Sequence, residues 1–351
     1  MATNRRGEQK PIRRSKHKRS AYSGHGPLLQ GTRYPVGAGH ARDCASPWLV
    51  MYIVPIPMTD HRAKRIDATG DSTPSSRPRK RAAPFVKWAG GKRPLIPYIM
   101  ASLPPSFGAY YEPFLGGGAV FLALADRIGE AVLSDANAEL IRAYQVIQAD
   151  PEALIALLER HKEAHGEADY YYKVRDRYNA GRDDPEDRPA SVARFIYLNK
   201  TCYNGLYRVN SRGGFNVPKG RYANPAIYSR ENLLAVSEAL KNATLHTRDF
   251  EAIDPKPGDF IYCDPPYDNT FDSYAAGGFG EAGQKRLKAC MDRWREKGCH
   301  VLLSNSDTPL IRRLYKEYRI EEVAAPRPIN SKADGRGMTA ELLVMGYDTR
   351  I

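Results

Sequence analysis

The sequence predicts an α/β protein: an open sheet whose two parts are separated by a mainly helical insert carrying a β-hairpin. Three observations predict it. Short apolar runs that end in an acid or a glycine turn recur at 110–118, 132–135, 243–249 and 259–264, as in open sheets that present ligand groups at the C-terminal ends of their strands. Residues 151–242 change to helical periodicity, with apolar positions at helical spacing over 151–161, 167–177 and 188–198. Inside that block, Asn-Gly and Gly-Gly pairs break a polar and aromatic stretch into a hairpin rather than a helix. The implied divisions are 1–83, 84–150, 151–242 and 243–351, with the second and fourth forming one sheet.

Composition narrows the classes. Of 351 residues 42% are hydrophobic, enough to bury a real core. The formal charge is +13, yet residues 1–83 hold 17 Lys/Arg against 5 Asp/Glu and the rest hold 36 against 35. Basicity therefore belongs to the N-terminal region, in blocks at 5–19 and 77–81, and says little about what the body binds. Gly, Pro and Ser fill the space between those blocks without a sustained period, so this region is expected to be a disordered, dispensable extension with at most a weak hold on phosphate backbones. The longest apolar run, 48–58, contains Pro55 and Pro57 and is too short to cross a bilayer; it also lies too far along the chain for a signal peptide. Five cysteines without a C-x-x-C pair imply reduced thiols in a cytosolic protein. His161 and His165 stand at helical spacing without a third ligand, so no metal site is expected.

The body opens with Phe85-Val86-Lys87-Trp88-Ala89-Gly90-Gly91-Lys92, an apolar run and a paired-glycine turn. Trp88 can pack against a heterocycle and Lys92 can neutralise a carboxylate. Tyr110-Tyr111-Glu112 then leads through Phe114 and the Gly116-Gly117-Gly118 turn into an apolar helix, the strand–glycine loop–helix opening of a Rossmann-like half. About twenty residues on, Asp135 ends a strand where an acid can hydrogen-bond a ribose. Asp249, followed by Phe250, ends another and could meet an adenine amine. The loop is not G-x-G-x-x-G, and Glu112 beside it would repel a pyrophosphate. An uncharged or cationic adenosyl ligand fits better. S-adenosyl-L-methionine is such a ligand, with a ribose for Asp135, cationic groups for the acids and a carboxylate for Lys92. The cofactor candidates are Trp88, Lys92, Glu112, Phe114, Gly116, Gly118, Asp135, Asp249, Phe250 and Asp264.

The organising stretch is Tyr262-Cys263-Asp264-Pro265-Pro266-Tyr267-Asp268. Two prolines stop the preceding strand, because neither can donate to a ladder. The Asp264 carboxylate and the Pro265 carbonyl are thus held at a strand end beside the flat ring of Tyr267. Such a group suits a planar ring bearing an amino group, which donates two hydrogen bonds while its ring is stacked. Asp264, Pro265, Pro266 and Tyr267 are the catalytic candidates; a Pro-rich turn with a capping Asp is the plain alternative. Beyond them the pattern gives a Gly/Ser/Tyr loop at 268–280 with Phe271 and Tyr274, a helix over 281–297, and strands over 300–305, 319–325 and 341–347. A polar turn at 330–339, with Arg327, Lys332 and Arg336 in and beside it, is a further candidate phosphate contact.

In the insert, residues 199–230 contain Lys200, Arg208, Arg212, Lys219, Arg221 and Arg230 and no acid. Tyr203, Tyr207, Phe215 and Tyr222 are interleaved with them. Cations for phosphates, an Arg fork for guanine and rings that stack or wedge are what reading a duplex requires. An ordinary basic surface hairpin is the alternative.

The ordered set K-W-A-G-G-K, E-P-F-L-G-G-G, S-D-x-N, Y-N-G-L-Y-R-V-N, F-N-V-P-x-G-R-Y, D-P-P-Y and a closing R-x-I-N with E-L-L closely resembles the Dam-type (D12 class, alpha group) DNA adenine methyltransferase family. The resemblance covers roughly 84–347. It implies a Rossmann-like S-adenosyl-L-methionine-dependent methyltransferase sheet with an inserted target-recognition domain, and methylation of the exocyclic amine of adenine in double-stranded DNA. By resemblance Trp88, Lys92 and Asp135 contact the cofactor and Asp264 joins cofactor and target. Tyr203 wedges into the duplex, Leu206 and Arg208 read bases, and Pro218 and Tyr222 line the target. With Asn204, Asn210, Arg212 and Arg221 these are the DNA-binding candidates, and GATC is the implied site. Tyr207, Val209 and the Gly213-Gly214 pair depart from the family pattern and bear on flanking preference.

Two rival classes stay open: methylation of adenine in another DNA sequence or in RNA, or of a protein amide, and a catalytically silent DNA-binding protein. A dehydrogenase is disfavoured by Glu112. The expected setting is a monomer in the cytoplasm, with a companion restriction endonuclease as a functional partner and no membrane.

Overall fold

The computed structural model describes residues 81–181, 184, 186–268, 279–326 and 338–348. The basic extension up to residue 80, the loop with Phe271 and Tyr274, and the polar turn with Arg327, Lys332 and Arg336 lie outside the described residues. The chain divides into units 1–72 and 73–351, and every described residue belongs to the second.

Seven strands form one sheet: β1 (Tyr110–Glu112), β2 (Ala131–Asp135), β3 (Ala243–Thr247), β4 (Phe260–Cys263), β5 (His300–Ser306), β6 (Arg319–Pro326) and β7 (Met338–Met345), in the order β3-β2-β1-β4-β5-β7-β6. The first five in that order run parallel, and β7 lies antiparallel between β5 and β6. β4 is apolar throughout and buried on both faces, as a central parallel strand must be. Phe260 and Tyr262 turn to one side with Tyr110, Leu133 and Leu302; Ile261 and Cys263 turn to the other with Val301 and Leu303. The second face is covered by α8 (Gly280–Glu296) and α9 (Pro309–Leu314), through Leu287, Met291, Trp294 and Ile311.

The order of the strands locates the site. From β1 the chain goes outward through β2 to β3, then returns to lay β4 on the opposite side of β1. Such a reversal opens a crevice at the carboxyl ends of the two central strands. Here those ends carry Glu112 and Asp264. Asp259 holds the two strands in register at their other ends: its Oδ1 accepts the Ala109 amide at 2.9 Å and its Oδ2 the Lys256 amide at 2.7 Å. The side chain fits so closely that a Cβ on Gly108 would lie 2.5 Å from Asp259 Oδ1.

Between β2 and β3 come α3 (Ala138–Ala149), α4 (Pro151–Glu163), α5 (Tyr170–Gly181), α6 (Arg188–Thr201) and α7 (Arg230–Ala239). Their starts obey capping chemistry: Asn137, Asp150 and Ser229 each accept a backbone N–H from the residue three further on. The buried faces of α4, α5 and α6 continue the core on the Tyr110–Tyr262 side of the sheet. Within this segment the helical spacing in sequence signalled α4, α5 and α6; it did not signal α7, nor α9 later in the chain. Both are short, and α7 begins directly after a loop whose basic and glycine-rich composition masks its Ser229 cap.

The predicted hairpin is present as two isolated antiparallel bridges, Cys202 with Lys219 and Val209 with Phe215, rather than as paired strands. Its tip is a side-chain-stabilised turn: Asn210 Oδ1 accepts the Arg212 and Gly214 amides, both at 2.9 Å, and Gly213 adopts φ +77°. Pro218 cannot donate across the ladder, but its carbonyl accepts the Tyr203 amide at 2.9 Å.

Replacing Asp259 by alanine orphans two backbone donors and should lower the unfolding free energy by about 2 kcal/mol, with Asp259→Asn costing roughly half of that. Denaturant midpoints at unchanged m-value check this.

Candidate active site

The turn after β4 is fastened from several sides. Asp264 Oδ1 receives the Lys92 ammonium at 2.7 Å and the Ser304 hydroxyl at 3.1 Å. Ser304 also exchanges a hydrogen bond with the Tyr262 hydroxyl at 2.9 Å. Both groups that reach Asp264 are directed at the same oxygen. Among the described residues no donor reaches the Pro265 carbonyl, whereas the Pro266 carbonyl accepts Gln284 Nε2 at 2.9 Å. The Tyr267 hydroxyl donates to Glu341 Oε2 at 2.6 Å, and Lys92 Nζ sits 4.6 Å from the centre of its ring. Asp268 is tied to Thr308 by its carboxylate at 2.7 Å and to Ser306 by its carbonyl at 2.9 Å.

Lys92 is thus central, though not as expected from sequence alone. It is buried, and its ammonium bonds the Gly90 carbonyl at 2.9 Å as well as Asp264. Lys92 therefore neutralises an acid of this chain. Burial raises the pKa of Asp264, and the Lys92 charge and the Lys92 and Ser304 hydrogen bonds work against that rise.

Glu112, at the end of β1, is 2% exposed and shares the electrostatic environment of Asp264 and Asp135. Its Oε2 accepts the Tyr110 hydroxyl at 2.7 Å and the Phe121 amide at 3.1 Å. Burial nevertheless pushes its carboxyl up to about 8, the Tyr110 bond only partly offsetting it. The loop between Glu112 and α2 (Ala119–Leu124) needs its glycines: Gly116 has φ +49° and Gly118 φ +68°. A Cβ on Gly118 would lie 2.5 Å from the Tyr144 hydroxyl, and one on Gly116 would press on Trp88 at 3.1 Å. Asp135 stabilises the same loop, accepting the Gly116 amide at 2.9 Å and the Asn137 amide at 2.8 Å.

The remaining cofactor candidates fall on two sides of this loop. Phe114 stacks on Phe250 with centroids 5.2 Å apart, and Phe279 meets Phe114 edge-on. Asp249 is exposed; its Oδ1 accepts the Glu251 amide and Arg286 Nη2, both at 2.9 Å. Trp88 packs against Gly116 and Gly117 and stacks on Tyr207 of the hairpin, 5.4 Å between centroids.

All nine DNA-binding candidates, Tyr203, Asn204, Leu206, Arg208, Asn210, Arg212, Pro218, Arg221 and Tyr222, are exposed. Asn210 is committed to the turn it stabilises, and Arg208 Nε donates to Asn216 Oδ1 at 2.9 Å. The large apolar side chains Tyr203, Leu206 and Tyr222 stand out from this segment at 52%, 41% and 37% exposure. Lys87 belongs with them and was missed from the sequence. Its ammonium bonds the Tyr222 hydroxyl at 3.1 Å and lies over that ring, and it helps to push the half-buried Lys200 down to about 8, after burial itself. Its only signal was its place just before Trp88. The 85–88 strip is tied to α6 because Asn199 accepts the Lys87 amide at 2.7 Å and donates to its carbonyl at 2.9 Å. Among the described residues no helix is long and apolar enough to cross a membrane, and no cluster of three His, Cys, Asp or Glu could hold a metal.

The family model for D12 class N6 adenine-specific DNA methyltransferases matches residues 88–329. The chain is 40% identical over 273 residues to the type II methyltransferase M1.LlaDCHI of Lactococcus lactis subsp. cremoris, covering 75% of this chain and 95% of the relative. It is also 40% identical over 286 residues to the type II methyltransferase M.MjaIII of Methanocaldococcus jannaschii, covering 75% and 99%. Identity to the DNA adenine methylase of Serratia marcescens is 35% over 282 residues, covering 76% and 99%.

An isosteric neutral residue should relieve the cost of keeping residue 112 buried. Glu112 ionises near 4.5 when solvated and only near 8 in the fold, so the native state holds the extra proton between those values and loses stability as pH rises through them. Glu112→Gln is therefore expected to melt higher than wild type by a margin that is small at pH 4.5 and grows towards pH 8. Calorimetric scans across that range test it.

Proposed function

Since the chain belongs to the D12 class N6 adenine-specific DNA methyltransferases, we propose that it moves a methyl group from S-adenosyl-L-methionine to the exocyclic amine of adenine in duplex DNA, at GATC. The observation that carries this reading is the end of β4. A half-buried carboxylate whose described donors both reach Oδ1, a proline carbonyl that no described residue engages, and a tyrosine ring fixed by Glu341 converge there.

Adenine's amino nitrogen is a poor nucleophile because its lone pair is delocalised into the ring. Asp264 and the Pro265 carbonyl accept its two hydrogens, which favours a pyramidal nitrogen with a localised pair as the transition state forms. The Lys92 charge works against the burial that disfavours an ionised Asp264, and Tyr267 stacks on the ring. The target base must leave the helix to reach them, at a cost of a few kcal/mol. Tyr203, from the exposed face of the hairpin, fills the gap in the duplex, while Leu206 and Arg208 read bases and Lys87, Arg212 and Arg221 meet backbone or base edges.

The residues at the glycine loop suit S-adenosyl-L-methionine. Glu112 and Asp135 are acids set back from the surface, matching a cationic ligand, and the positive-φ glycines leave room where a Cβ would intrude. Trp88, Phe114, Gly116, Gly118 and Phe250 would line its adenosyl part, with Asp249 at the rim. When bound, that cofactor supplies a methyl group made electrophilic by its sulfonium. A cationic group beside Glu112 would favour its ionised form. On this reading 151–242 is the target-recognition domain, and the type II relatives support a companion restriction endonuclease as the functional counterpart.

Asp264→Ala should cut incorporation of labelled methyl into duplex DNA by at least about 100-fold while leaving DNA affinity within a few-fold of wild type. Equal loss of both would point to misfolding instead. Methylation-sensitive sequencing of DNA from expressing cells should find modified adenine confined to GATC; a different consensus would retain the chemistry and remove the site assignment.

A further inference from the structure

The turn that follows β4 cannot be held by a strand ladder, because its two prolines donate nothing. Two buried side-chain amides hold it instead. Gln284, on α8, is 1% exposed, and Asn305, in β5, is fully buried. Gln284 Nε2 donates to the Pro266 carbonyl at 2.9 Å, and its Oε1 accepts Asn305 Nδ2 at 3.0 Å. Asn305 Oδ1 in turn accepts the Asp268 amide at 3.3 Å and the Ser306 amide at 2.9 Å. The chain of bonds begins at Pro266, inside the turn, and closes on Asp268 just after it, passing through a helix and a strand that are both anchored in the core.

We propose that the Gln284–Asn305 amide pair positions the Asp264–Tyr267 turn for methyl transfer, setting the height of the Pro265 carbonyl and the Asp264 carboxylate over the sheet. This rests on the methyltransferase reading above. The residue types are informative. A primary amide offers a donor and an acceptor at fixed separation, so two in series transmit a position rather than merely filling space. The neighbours of Gln284 on the buried face of α8 are Leu287, Cys290 and Met291, and a methionine of the same length would serve packing equally well. Burying an amide is unfavourable unless it is hydrogen-bonded, and here each amide nitrogen donates a bond and each amide oxygen accepts one. Of the catalytic candidates the pair bonds only the Pro266 carbonyl, so it acts on the others through the turn. Productive alignment is sensitive to small shifts, with a displacement near 1 Å able to cost about 100-fold.

Two variants of the full chain test this, read by single-turnover methyl transfer to a duplex oligonucleotide, by DNA and S-adenosyl-L-methionine affinities, and by melting temperature. Gln284→Met should lower the single-turnover rate by about 100-fold with both affinities within about twofold of wild type. Gln284→Glu should approach the wild-type rate at low pH, where a protonated carboxyl reproduces the amide's donor and acceptor, and fall towards the methionine level as pH rises. Asp264, Asp268 and Glu341 surround the turn in every form, so the pH profile is taken as a ratio to wild type. A methionine variant as fast as wild type, a flat ratio for Gln284→Glu, or rate, affinities and melting temperature falling together would each overturn the assignment. Failure of the wild-type chain itself to methylate adenine would instead remove the reading on which it rests, whatever the variants do.

Discussion

Where β4 ends, Pro265 and Pro266 withdraw two consecutive backbone donors at the most buried strand of the sheet, and the local architecture is an answer to that loss. A loop at such a place would ordinarily collapse onto the sheet edge or be left with unsatisfied carbonyls. Side chains from three other elements replace the missing ladder: Ser304 on β5, Gln284 on α8 and Glu341 on β7. Because each comes from an element with its own buried face, the turn inherits the rigidity of the core. Among the described residues, the Pro265 carbonyl of this turn has no donor.

The second constraint is charge in a place that disfavours it. Glu112, Asp135 and Asp264 end neighbouring strands, and burial raises the pKa of each. The means of holding them differ. Asp264 has a cation in contact, Asp135 has the backbone amides of Gly116 and Asn137, and Glu112 has one hydroxyl and one amide. Glu112 accordingly shows a displacement to about 8. Three strand-end acids thus face the same burial penalty with three different sets of partners.

The third feature is the join between the helical segment and the sheet. The 85–88 strip lies between them, bonded to Asn199 on one side and pressed against the glycine loop through Trp88 on the other. Trp88 stacks on Tyr207, which also packs against Phe195 and Phe215. The hairpin, with few backbone bonds of its own, is thereby referenced to the loop that would hold the cofactor. The exposed rings of Tyr203 and Tyr222 lie at the Cys202–Lys219 end of the hairpin, and Phe215 is buried near its tip.

By itself the sequence determined the strands and their acidic ends, the long helices of the insert, the glycine turns and the family. These are local matters: prolines stop a strand wherever they occur, a helical repeat of apolar residues is visible in one dimension, and only glycine accepts φ near +60° without strain. The tertiary structure decided what the side chains do once brought together. Lys92 lies far along the chain from Asp264, and its pairing there was not legible, because composition shows a cation but not the partner it reaches. The same holds for Lys87 beside Tyr222, for Asn210 committed to its own turn, and for Gln284, whose neighbours in sequence read as one more helical face. Position in sequence sets which groups are available; only the crossing of β1, β4 and β5 sets which of them lie within hydrogen-bonding distance.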